Sequence, residues 1–183
     1  MSYQKDLRDF AKGFERELEK ALNNRFFIKI GQLVSQVIYR RTVSGYGITS
    51  HEGEKVSLKK LSPEYVKQRE RIYSGVKQAL KGRSAKVKRR TNRFLGLGDY
   101  FSPKKSNLTF TGQMLKAIDY KATAYGVSLF IKNDQRKGSH LTNARVAGYV
   151  SESRQFFGLT HDELEIVQRE VENAIRIVAR KLS

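Results

Sequence analysis

The C-terminal stretch from residue 160 onward constrains the fold most. Thr160-His161-Asp162-Glu163 is a capping box: the threonine oxygen accepts from the amide three residues on, and the glutamate carboxylate reaches back to the threonine amide. Behind it Leu164, Val167, Val171, Ala174, Ile175, Val178 and Leu182 recur at helical spacing over about 20 residues. Asp162, Glu163 and Glu165 come early and Arg176, Arg180 and Lys181 late, the order that the helix dipole favours. A helix this one-sided must bury its stripe, so the rest of the chain has to supply the opposing surface.

Two earlier segments are suited to that. Leu7, Phe10, Ala11, Phe14, Leu18, Ala21 and Leu22 form one amphipathic helix over residues 1–24, broken or bent at Asn23-Asn24. Phe26, Phe27, Ile30, Leu33, Val34, Val37 and Ile38 form a broader stripe, which predicts a deeper helix ending near Arg40-Arg41. Glycine-containing turns make residues 43–61 a loop with one short strand. Ser62-Pro63-Glu64 then reads as N-cap, first-turn proline and first-turn acid of a helix running to about residue 80, with Tyr65, Val66, Ile72, Tyr73, Val76 and Leu80 as its apolar face. Farther on, Thr111 to Leu115 suggests one or two helical turns, and Ile118 to Thr123 with Val127 to Lys132 a half-covered hairpin. Residues 144–150 fit a short helix or a strand, and Phe156-Phe157 a sheet segment. The sum is an α+β domain spanning 1–183, with long N- and C-terminal helices packed on a small antiparallel sheet.

Charge adds a second constraint, because 36 Lys and Arg against 18 Asp and Glu leave the 183-residue chain at +18. The excess is local. Residues 1–30 carry seven bases and five acids and residues 161–183 four and five, whereas residues 55–105 carry 16 bases against Glu64, Glu70 and Asp99. The densest part holds Lys81, Arg83, Lys86, Lys88, Arg89, Arg90 and Arg93 with no acid among them. Poor in large apolar residues, the 81–105 stretch is expected to be an extended basic arm or loop that meets an anionic partner, either nucleic acid or an acidic protein surface. Phe94 to Phe101 mixes apolar residues with two glycines and suits either docking onto a neighbour or tucking under the core.

Several chemistries are excluded or unsupported. There is no cysteine, which removes disulfides, thiolate metal sites and cysteine nucleophiles. His51-Glu52-Gly53-Glu54 begins like a zinc-protease helix, but Lys55 stands where the second histidine belongs. His140 and His161 are expected to be solvent-exposed imidazoles. No phosphate-binding loop or nucleophile elbow is present. The reading is of a non-enzyme with no cofactor and no metal. With no apolar run long enough for a membrane span and no apolar segment near residue 1, it is also read as soluble and intracellular.

The order of these features resembles the tailed-phage virion-morphogenesis, or tail-completion, family of neck proteins. Two short signatures carry the likeness over roughly residues 27–182. Thr111 and Gly112, with Met114 and Leu115 after them, resemble the family's leucine-any-any-threonine-glycine-any-leucine pattern before a hairpin. Arg154, Phe156, Gly158, Leu159 and Thr160 resemble its arginine-proline-phenylalanine-leucine-glycine-leucine-serine pattern before the last helix, Gln155 replacing the proline. The resemblance implies a structural virion protein made in the host cytoplasm. It would form a homo-oligomeric, six-fold ring with other neck, connector and tail proteins and let DNA pass. On the residues alone, Gly158 suits a positive φ or a close approach, Phe156 and Phe157 would point to a core and an interface respectively, and Arg154 suits a bidentate pair with a carboxylate. A stand-alone, non-specific nucleic-acid-binding protein using the 81–105 arm is the alternative.

Overall fold

The computed structural model describes residues 2–49, 53–88, 113–136 and 140–182. They form an α+β fold. Six helices lie wholly within them: α1 (Ser2–Ala21), α2 (Asn24–Val43), α3 (Pro63–Ala79), α4 (Gln113–Lys116), α5 (Asn143–Ser151) and α6 (His161–Leu182). Four strands, β1 (Tyr46–Ile48), β2 (Lys55–Ser57), β3 (Ile118–Ala122) and β4 (Val127–Ile131), pair as two separate two-stranded ribbons, β1 with β2 and β3 with β4. The antiparallel pairing expected as one small sheet is therefore divided. The packing also divides the chain into two compact units.

The first unit comprises Met1–Gln36, Tyr120–Phe130 and His161–Ser183. Asn23 ends α1 and starts α2: its side-chain nitrogen donates to the Lys20 carbonyl at 2.6 Å, while its oxygen accepts from the Arg25 and Phe26 amides at 2.8 and 3.2 Å. One residue satisfies backbone groups on both sides of the break, which is why the two stripes do not merge into one helix. α6 packs on α1, and Glu170 of α6 meets Lys29 of α2 at 2.8 Å. Ile30, Val34 and Val178 are buried in this unit.

The second unit comprises Val37–Asp119 and Ile131–Thr160. Its core is Val43, Met114, Leu115, Ala147 and Phe156, with Tyr39, Ile118, Ile131, Val146, Val150 and Phe157 packed against it. β1 pairs with β2 in the register Tyr46 with Ser57, Gly47 with Val56 and Ile48 with Lys55. The loop after α2 thus holds two strands, not one. Residues 143–151 are helical, capped by Thr142, whose side chain accepts from the Arg145 amide.

Two expectations fail here, and one apolar face is left partly open. Phe156-Phe157 is no strand; the segment is an irregular turn held by side chains and by β1. The stripe on α3 is partly uncovered, Tyr65, Ile72 and Tyr73 each being exposed by about two fifths. Residues 81–88 are not extended: the chain turns after α3 and makes one helical turn over 85–88, begun by Ser84, whose carbonyl accepts from the Lys88 amide at 3.0 Å.

The start of α3 is as expected. Ser62 has extended backbone, Pro63 follows it, and the serine hydroxyl accepts from the Tyr65 amide at 3.2 Å. Ser62→Ala is expected to cost about 1 kcal/mol, read as a lower urea midpoint with an unchanged m-value.

Candidate anionic-partner interface

The basic segment begins on α3 and continues past its end. Residues 63–88 carry eight bases, Lys67, Arg69, Arg71, Lys77, Lys81, Arg83, Lys86 and Lys88, against Glu64 and Glu70. All but one of the eight are exposed. The exception is Arg69, which is 1% exposed, with its guanidinium 5.9 Å from the Tyr65 ring; burial pushes its pKa below the ordinary guanidinium range. Arg69 therefore belongs to the architecture of α3, and the remaining bases form the surface a partner would meet. Of the seven bases expected to form the arm, Lys81, Arg83, Lys86 and Lys88 lie on this surface, and Arg89, Arg90 and Arg93 lie outside the described residues.

At the C-terminal end of α3 the cations surround an apolar hollow. A cavity of about 610 Å³ is lined by Tyr73, Val76 and Leu80 together with Lys77, Lys81 and Lys88. Such a surface offers two chemistries at once: ammonium groups for carboxylates or phosphates, and an apolar seat for a side chain between them. A nucleic-acid backbone uses only the first. An acidic protein segment with an apolar anchor uses both.

The segment before the last helix is built around Arg41, at the end of α2. This side chain is buried, and its Nη2 donates to the carbonyls of Phe156 and Gly158 at 2.6 and 3.0 Å. Gln155 contributes its carbonyl, which accepts from the Ile48 amide at 3.0 Å. That approach needs glycine at 47, since a Cβ there would overlap the Gln155 carbonyl oxygen, a backbone atom that cannot swing away. Gly158 has φ +141 and faces Ile48, so both reasons for glycine apply. Phe156 is fully buried, and Leu159 is partly so. Thr160 is buried immediately before α6, and Glu163 is buried in its first turn.

Two residue roles differ from expectation. Arg154 does not meet a carboxylate among the described residues; its Nε and Nη2 donate to the carbonyls of Lys59 and Lys60 at 3.2 and 3.4 Å, pinning the chain that leads into α3. Phe157 faces the same core as Phe156, with the ring centroids 6.4 Å apart at an interplanar angle of 68°. Neighbouring residues reach one core because the backbone turns here instead of extending. Arg41 itself gave no sequence signal, since a base in a last helical turn ordinarily complements the dipole in solvent.

Thr111, Gly112, His51 and the Phe94 to Phe101 segment lie outside the described residues. His140 and His161 are exposed. Among the described residues no three His, Asp or Glu side chains gather as a metal site, and no helix is long and apolar enough to cross a membrane. No protein-family model, curated protein or solved structure matches the chain.

The exposed cations make one expectation measurable on any polyanion. Replacing Lys81, Arg83, Lys86 and Lys88 with glutamine should make the log-affinity against log-salt slope for duplex DNA shallower by about 3 to 4, with the melting temperature unchanged. An unchanged slope would remove these four from phosphate contact.

Proposed function

We propose that this chain is a structural protein of a tailed-phage neck: a tail-completion subunit that joins a homo-oligomeric ring, six-fold in the particle, between the capsid connector and the tail. The observation that carries the reading is the turn over 154–160. In that order the chain places an arginine that pins a neighbouring segment, a buried phenylalanine, a positive-φ glycine and a threonine opening the long last helix. These are the positions of the family signature before its C-terminal helix. Gln155 replaces the proline there, and what this turn takes from residue 155 is its carbonyl, which proline also carries.

In this role the α3 surface docks an acidic neck or tail component in preference to the passing DNA. Tyr73, Val76 and Leu80 among the lysines favour a protein, because an apolar seat adds nothing to phosphate binding. A continuous cationic ring around the channel would also retain DNA that has to leave. The test is genetic. Deleting the gene from the phage or prophage that carries it should leave DNA-filled heads and separate tails in negative-stain electron microscopy, with joined particles restored by supplying the chain in trans. Normally joined particles after deletion would refute the reading.

A further inference from the structure

α6 buries one face and leaves apolar residues uncovered on both flanks. Val178 is buried and Val167, Val171 and Ala174 are partly so, while Ile166 and Ile177 are 40% and 57% exposed. These two isoleucines are eleven residues apart, three helical turns, and therefore stand on the same flank about 16 Å from each other. Glu170 and Asn173 lie between them, Glu170 being engaged by Lys29. On the other flank Leu164 and Ile175 are exposed at 49% and 38%.

The charges on this helix decide what fits there. Residues 161–171 hold four acids, Asp162, Glu163, Glu165 and Glu170, against Arg169; residues 172–182 hold Glu172 against Arg176, Arg180 and Lys181. α1 carries five bases and five acids, so the paired α1 and α6 helices are close to neutral in a chain of +18. Two copies of this chain repel one another over most of their surface, and the repulsion is least on this helix pair. A helix acidic in one half and basic in the other is complementary to itself only when the two copies run antiparallel.

We propose that α6 is a self-association surface: a second copy packs its own α6 antiparallel about a two-fold axis, Ile166 against the partner's Ile177 and Ile177 against the partner's Ile166. That register also sets Asp162 opposite the partner's Lys181, and both residues are exposed. The contact is isologous, so it closes at the dimer. With two isoleucine pairs at its centre it is a weak interface, held in check at low ionic strength by the net charge of each copy. The proposal rests on α6 alone and not on a place in the phage neck.

Sedimentation equilibrium on the full chain tests it. The expected result is a monomer–dimer equilibrium that shifts toward dimer as salt is raised, because screening weakens the general repulsion more than the apolar contact. The I166E/I177E variant should raise the dimer dissociation constant at least about tenfold while circular dichroism shows an unchanged melt. General repulsion cannot explain that loss, since two added glutamates reduce the net positive charge. D162K and K181D should each weaken the dimer, and the D162K/K181D double variant should restore it. A chain that stays monomeric at high concentration and high salt would overturn the proposal. So would dimers that survive I166E/I177E, dimers lost only in L164E/I175E, or a charge swap that fails to restore association.

Discussion

Phe156→Ala is expected to remove about 3 to 5 kcal/mol of unfolding free energy. The ring is fully buried among Val43, Met114, Leu115 and Ala147, and Phe157 stands edge-on to it. The full cost of a phenylalanine truncation is expected because the site cannot collapse onto the space left behind. The Phe156 carbonyl is held by Arg41, and the preceding carbonyl, of Gln155, is held by Ile48. The backbone is thus fixed on both sides of the missing ring. Urea denaturation followed by far-ultraviolet circular dichroism reads the effect, and a loss under about 1 kcal/mol would show that the ring is not a core residue. Phe157→Ala should cost clearly less, since that ring is only partly buried. The order of the two variants separates this packing from an extended segment with Phe157 turned outward.

Arg41→Met is the second large effect, expected at about 3 kcal/mol. Methionine keeps the apolar stem and removes the guanidinium, which leaves the Phe156 and Gly158 carbonyls without their charged donor. A hydrogen bond to a charged group contributes about 1.5 to 3 kcal/mol, and leaving a buried acceptor unpaired adds its desolvation. Arg41→Lys should recover only part of the loss, because an ammonium on a flexible stem lacks the planar guanidinium geometry that reaches both carbonyls. Hydrogen exchange should report the change locally as faster exchange at the Ile48 amide, which depends on the same turn. A methionine variant as stable as the parent would show that the turn holds itself.

The helices were legible because their signals are local. Ser62 before α3 and Asn23 between α1 and α2 mark boundaries through hydrogen bonds that span two or three residues. The β3–β4 hairpin followed from strict alternation: Val127, Leu129 and Ile131 are half-buried, and Ser128 and Phe130 are exposed. Legibility stops where a residue's role depends on distant chain. Arg41 is decided by carbonyls more than a hundred residues away. Phe156 and Phe157 look like a strand until the turn that Arg41 closes is known. The α3 stripe marks an apolar face, but periodicity says nothing about what covers it; Tyr65, Ile72 and Tyr73 remain about two fifths exposed. The basic segment could be recognised by composition, whereas the hollow between its lysines arises only when the 85–88 turn brings Lys88 beside Tyr73 and Leu80.

The neck assignment is tested most directly by locating the chain in the particle. Electron-microscopy class averages of virions carrying it fused at the C terminus to a compact fluorescent protein should show a ring of extra density at the head-to-tail junction. Density on the capsid shell, at the tail tip, or absent from purified particles that contain a normal neck would contradict the account.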